Sequence, residues 1–466
     1  MLFPTIDFAV FFVVVFTASW LLRPWPRAWK WAILVASYIF YGWWDWRFVG
    51  LLAASTVITQ VGAIVVTRGG HRKATLALTV ASQLSLLVWF KYYGFFAVNV
   101  ANGLHRLGVG SPLPVLAVAL PIGISFYTFM GISYVVDCYR GRLQAAPWLD
   151  AAVYLAFFPH LIAGPIVRGP ELLPQLRPEA LRGGERAIDS GRAAWLIMAG
   201  LAKKVVISSF LARAIVDPVF AVPGKHSGLE VLVAVYAYAI QIYADFSGYT
   251  DIAIGVALLL GFRFPENFDA PYTATSMQDF WRRWHITLSR WLRDYVYIPL
   301  GGNRQGRWAT VRNIMITMAI GGLWHGAAWT FVAWGLFHGA AQSVGMLRRH
   351  GKRPARAVPP WMSRFATFHL VCLGWLLFRA ESIGSAMKLV SRLGHPGRAP
   401  LVTPLVIVVI AGSLAAQYAP GDAARRAQER VASWGVAAQG GALAATLYAI
   451  TLLAPAGVAP FIYYRF

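Results

Sequence analysis

Apolar residues run through this chain in long blocks separated by short basic loops. The blocks predict spans at residues 3–22, 31–44, 48–67, 74–98, 115–138, 192–217, 229–260, 308–347, 361–378, 401–419 and 436–455. One crossing takes roughly 20 apolar residues in helical form, so the windows predict about ten or eleven membrane helices. The block at 308–347 is too long for one crossing, and it carries Gly321, Gly322 and Gly326 around His325. It reads as two membrane segments meeting at the histidine, because irregular backbone at membrane depth must be buried in protein or line a cavity. Two other stretches read as interfacial: 164–190, rich in Pro, Gly and charge, and 262–307, long, basic and aromatic. The expected class is an all-α integral membrane protein, one polytopic domain over residues 1–466, with re-entrant or interfacial helices beside its spans.

Composition agrees with the pattern. Apolar residues make up 58% of the 466, only 13% are charged, and the mean hydropathy is +0.55. Soluble domains sit near 45–50% apolar and about 25% charged. The net charge of +23 changes the picture less than its size implies, since the basic residues lie in loops between spans. Arg23, Arg27 and Lys30, then Arg68, Arg72 and Lys73, then Arg140 and Arg142, then the run from Arg348 to Arg356, follow the positive-inside bias. Their natural partner is the anionic headgroup of membrane lipid. No soluble stretch is long enough for a nucleic-acid module. Cys138 and Cys372 fall in apolar segments without metal spacing and read as small buried hydrophobes. The first apolar run lacks a basic leader and a small-residue cleavage site, so it reads as a retained span, and placing the basic cluster at 23–30 in the cytoplasm puts the N-terminus outside.

Against this background, charge and aromatic residues concentrate in WRRWHITLSRWLRDYVYIPLGGNR, from Trp281 to Arg304. Read as a helix over 281–295 at ~100° per residue, Trp281, Trp284, Leu288, Trp291, Leu292 and Tyr295 share one face. Arg282, Arg283, Arg290 and Arg293 share the opposing arc, with His285 at the boundary and Ser289 one turn beyond it. The pattern predicts a helix lying in the interface. Two compatible uses stand: a plain anchor, or a row of guanidinium forks suited to the phosphates of an anionic ligand. Pro299, Gly301 and Gly302 end it.

His325 lies in GGLWHGAAW. A histidine in an apolar span is a packing residue or a base, and imidazole is the side chain best matched to proton transfer near neutrality. His338 and His160 read as structural. Asp245 and Asp251, with Ser247, Gly248 and Tyr249 between them, read as lining a polar cavity or pairing with a cation such as an interface arginine. Asp137 reads as a partner of Arg140. The chain has no phosphate loop, nucleophile elbow or HExxH metal motif.

Several of these stretches together resemble the membrane-bound O-acyltransferase (MBOAT) family, in its bacterial alginate O-acetyltransferase branch, which is related to the teichoic-acid D-alanyl transfer proteins. They are YGWWDWRF at 41–48, LPIGISFYTF at 120–129, SYVVDCYRG at 133–141, FPHLIAGPIVR at 158–168, DFSGYTDIAIG at 245–255, GFRFPENFDAPY at 261–272, FWRRWHITLSRWLRDYVYIPLGGNR at 280–304 and GGLWHGAAWTFVAWGLFHG at 321–339. The resemblance implies helices around a central channel, with residues 262–345 as its core. It implies His325 and His285 as the catalytic pair, His325 as general base or transient acetyl carrier and His285 at the thioester carbonyl. Arg282, Arg283, Trp284, Ser289, Asp245, Tyr249 and Trp324 are then the expected contacts of substrate and acyl-CoA. It further implies acetyl-CoA as donor, no metal and no tightly bound cofactor, a periplasmic acetyltransferase partner, and a place in the bacterial inner membrane. The acceptor would be an exported polysaccharide of alginate type, with peptidoglycan, cellulose and teichoic acid as alternatives. From other classes, a flippase or transporter for a glycan precursor and a scaffold of a secretion complex use the same polar features without covalent chemistry.

Overall fold

The computed structural model describes residues 1, 3–110, 114, 116, 118–182, 189–349 and 358–453, and among them every regular element is a helix. Positions 183–188 of the 164–190 loop, 350–356 of the basic run, 115 and 117 of a predicted span, and 454–455 of the last one lie outside the described residues. Helices at Arg47–Arg68, Arg72–Arg106, Ser190–Ala221, Gly228–Leu259 and Pro360–Arg379 are long and apolar enough to cross a membrane. Ile6–Leu22, Pro404–Gln417 and Val436–Leu453 are shorter apolar helices at predicted positions. Among its described residues, the window at 115–138 is helical from Ile124, where Pro121 and a left-handed Gly123 precede the helix Ile124–Tyr139.

The chain forms two compact units. The first comprises Met1–Ala193 and Ala253–Pro265. Its core includes a phenylalanine cluster in which Phe158 meets Phe11 at 5.4 Å and Phe40 at 5.5 Å between ring centroids. Polar side chains join the helices Arg47–Arg68 and Arg72–Arg106. Gln83 donates to the Ser55 carbonyl at 2.8 Å and to Thr59 Oγ1 at 2.7 Å, and accepts from Ser55 Oγ at 2.9 Å. Such interhelical bonds serve as glue where lipid removes the hydrophobic drive for helices to associate. Lys30 and Asp150 form a buried ion pair, and Asp137 pairs with Arg142 at 3.6 Å. His160 is fully buried with Nε2 on the Tyr154 carbonyl at 3.0 Å, as a structural residue would be.

The second unit comprises Ala194–Ile252 and Glu266–Phe466. Here the helical run Ser190–Ala221 carries π-turns at Ala202–Ser208 and Ala212–Val216. The first holds two consecutive lysines, which pair with the aspartates of Gly228–Leu259: Lys204 with Asp245 and Lys203 with Asp251. The sequence reading has these carboxylates lining a polar cavity or pairing with a cation such as an interface arginine; the cations are lysines of a neighbouring apolar helix. Backbones meet beside the pairs, where a Cβ on Gly200 would lie 2.6 Å from the Gly248 carbonyl oxygen.

The 308–347 block divides as expected into Arg307–His325 and Trp329–Arg349. Their approach is also backbone-close. A Cβ on Gly322 would lie 2.2 Å from the Phe331 carbonyl oxygen, and one on Gly326 would lie 2.1 Å from the Phe331 ring. Small residues at this crossing allow two apolar helices to pack without intervening side chains.

Candidate active site

The helix expected over 281–295 is broken in the middle. Met277–Arg283 ends at Trp284, Ile286–Leu292 begins after His285, and a π-turn follows at Arg293–Tyr297. His285 sits at the break with φ 42° and ψ 55°, a left-handed conformation that only Ala270 shares among the described non-glycine residues. Strain of this kind costs on the order of 1–3 kcal/mol and persists only where the surroundings fix it. Here the extended segment around Asn267 fixes it from both sides of the break. The Asp269 N–H donates to the Arg283 carbonyl at 2.9 Å, and the Ile286 N–H donates to the Asn267 carbonyl at 2.9 Å.

The two faces survive the break. Trp281, Trp284, Leu288, Trp291 and Leu292 are buried, Tyr295 is half-buried, and Arg282, Arg290 and Arg293 are exposed. Arg283 is different from its neighbour. Its guanidinium lies 3.1 Å from Asp279 and 3.4 Å from Asp269, so it braces the turn. Ser289 also has a local role, its hydroxyl donating to the Trp284 carbonyl across the break at 3.2 Å.

His285 is fully buried. Its Nδ1 lies 3.2 Å from Asn267 Oδ1, and that oxygen also accepts from the Thr287 N–H at 3.1 Å and Thr287 Oγ1 at 2.9 Å. His285 Nε2 is buried with no hydrogen-bond partner among the described residues. Burial keeps the ring neutral, its pKa lowered to about 3. Phe246 lies edge-on to it at 4.7 Å, next in sequence to the ion-paired Asp245.

His325 closes the helix Arg307–His325 and is 2% exposed. Trp324, Trp334 and Phe378 stand edge-on around its ring at 5.0, 5.0 and 5.2 Å. The two imidazoles lie 6.5 Å apart between centroids with their planes 59° apart, and Trp324 touches both, 5.7 Å from His285. Two histidines 40 positions apart in the sequence thus share one buried aromatic cluster. Trp284 packs one layer away, 4.9 Å from Trp375. Tyr249 is buried one turn beyond Asp245 on Gly228–Leu259. His338 accepts from Trp281 Nε1 at 3.2 Å and takes a packing place.

Sequence reasoning missed Asn267, Lys203 and Lys204. The lysines carried a signal, being charged residues inside an apolar run. Asn267 carried almost none, since an asparagine after Pro265 reads as an ordinary turn residue.

Among the described residues, the second unit thus buries two imidazoles side by side among aromatic rings. In comparison with known proteins, the profile of the membrane-bound O-acyltransferase family matches residues 69–378, which include both histidines. The protein called "Probable alginate O-acetylase AlgI" in Azotobacter vinelandii is 42% identical, over 84% of this chain and 77% of its own length. The peptidoglycan O-acetyltransferase of Helicobacter pylori is 36% identical, over 78% of this chain and 72% of its own. The teichoic acid D-alanyltransferase of Bacillus subtilis is 29% identical, over 56% of this chain and 69% of its own. This chain belongs to the MBOAT family and is an acyltransferase of the membrane.

Proposed function

We propose that the chain takes acetyl groups from acetyl-CoA on the cytosolic side and passes them toward an exported polysaccharide of alginate type, directly or through a periplasmic partner. It would do so in the bacterial inner membrane, with about ten or eleven crossings around a central channel and residues 262–345 as its core. Supporting this are the O-acetyltransferase relatives and, above all, the pairing of His285 with His325 at 6.5 Å in a buried site.

The chemistry needs little else. An acceptor hydroxyl oxygen bonds to the thioester carbonyl carbon while its proton passes to an imidazole nitrogen. The carbonyl oxygen gains charge and is steadied by a donor across the cluster. The C–S bond then breaks, the electron pair leaves with sulfur, and the imidazolium returns its proton to the thiolate. Exposed Arg282 and Arg290 offer forks for the phosphates of the donor, while the Arg293 fork is engaged by Asp294. Trp324, Trp284, Asp245 and Tyr249 shape the surroundings, and Arg283 and Ser289 hold the broken helix in place.

The test is release of free CoA thiol from acetyl-CoA by the chain reconstituted in lipid with its acceptor system. Wild type should release thiol and form ester, while His325→Ala and His285→Ala should each fall by on the order of 10²- to 10⁴-fold. Wild-type rates in both variants would refute the assignment.

A further inference from the structure

Three donors converge on one atom, Asn267 Oδ1: the Thr287 N–H at 3.1 Å, Thr287 Oγ1 at 2.9 Å and His285 Nδ1 at 3.2 Å. A backbone N–H can only donate, so the amide atom facing it is the oxygen and not the nitrogen. That settles the imidazole as well. An oxygen of an amide cannot donate, so His285 Nδ1 must carry the proton, and in a neutral ring Nε2 then holds the lone pair. The lone pair is buried and meets no donor among the described residues. Asn267 is itself 1% exposed, and its carbonyl holds the Ile286 N–H, so the ring is fixed by backbone and side chain of one residue.

We infer that Asn267 is a positioning residue that locks His285 in the Nδ1–H tautomer and makes Nε2 the proton-accepting atom of the transfer. This rests on the acyl-transfer reading of the site. It also changes the role of His285 drawn from the sequence. A neutral ring held this way cannot donate from Nε2 to a carbonyl oxygen, so at that atom His285 takes the proton of the attacking hydroxyl. When Nε2 is protonated, the Nδ1–H bond to Asn267 stays in place, so the ring charges and discharges without moving. A base that need not reorient has a smaller barrier to pass during the step.

The experiment uses the full chain in lipid, labelled with ¹⁵N-histidine, with the His285 signal assigned by difference from His285→Gln. In wild type the signal should show a protonated Nδ1 and an unprotonated Nε2. Asn267→Leu removes the acceptor: the fixed tautomer should be lost, and kcat should fall on the order of 10²-fold with KM for acetyl-CoA held. Asn267→Asp keeps an acceptor oxygen. It should keep the tautomer and much of the rate, and its negative charge should move the acid limb of the pH–rate profile to higher pH. A protonated Nε2 in the wild type, or an Asn267→Leu protein with unchanged tautomer and kcat, would overturn the inference. Should Asn267→Leu fail to fold, the wild-type spectrum and the Asn267→Asp profile decide the matter. A wild-type chain with this tautomer that transfers no acetyl group would refute the acetyl-transfer reading and leave the role of Asn267 in setting the tautomer intact.

Discussion

A histidine that is neutral, strained and held by an asparagine differs from an ordinary packing histidine in a way that pH can expose. Burial lowers the His285 pKa to about 3, against about 6.5 for a free imidazole. The unfolded chain therefore binds one more proton than the folded chain between those values. Stability from this group is fully present above about 6.5 and declines as pH falls toward 3. Thermal midpoints measured across that range should drop less steeply for His285→Gln than for wild type; parallel curves would argue against a buried neutral ring. Both histidines were legible in the sequence, His325 because its stretch is otherwise apolar and His285 because it marks the boundary between the tryptophan and arginine faces. Asn267 was not, since its meaning depends on one atom meeting three donors from the far side of a break 18 residues on.

Elements carry a similar lesson about local pattern. The 281–295 segment was readable as two faces but not as two helices, because the break keeps the tryptophans buried and leaves Arg282, Arg290 and Arg293 exposed. What imposes the break is the segment 267–269, bonded to residues on both sides of it, and no periodicity within 281–295 reports that. Exposed and braced arginines should respond differently to replacement. Arg282→Ala and Arg290→Ala should raise KM for acetyl-CoA and weaken its salt dependence with little effect on thermal stability. Arg283→Ala should instead lower the melting midpoint, since Asp279 and Asp269 lose their shared partner. The reverse assignment of effects would contradict the geometry. At the other helix pair, Gly322→Val should push Arg307–His325 away from Trp329–Arg349 and cost both stability and rate, as the close Phe331 carbonyl demands. Gly345→Ala is the matched control, where nothing lies within 4 Å of the added Cβ. There the change should be neutral or gain about 0.5–1 kcal/mol in helix propensity.

Across the whole molecule, hydropathy read the class and most helix positions correctly, and it was weakest where apolar helices carry charge. The run read from sequence as a plain span at 192–217 contains π-turns and two lysines. In the fold each lysine meets an aspartate on Gly228–Leu259, the helix that also brings Phe246 against His285. Removing one side of the inner pair should be costly. Lys204→Met removes the cation paired with the buried Asp245 carboxylate and should destabilise the protein by ~3–5 kcal/mol, whereas joint replacement with Asp245→Leu should recover most of the loss. Equal destabilisation in the single and double variants, read by thermal unfolding in detergent, would mean that the pair does not act as a unit. Sequence could not supply the pairing because it joins positions 41 residues apart on separate helices.

The most direct test of the central claim is ester analysis of the polysaccharide exported by cells carrying the His325→Ala chain. Acyl transfer through the two-histidine cluster predicts a polymer exported in normal amount, bearing few or no acetyl esters, from cells whose membranes hold the variant protein at the wild-type level. Wild-type ester content would contradict the account, as would a polymer that fails to reach the outside.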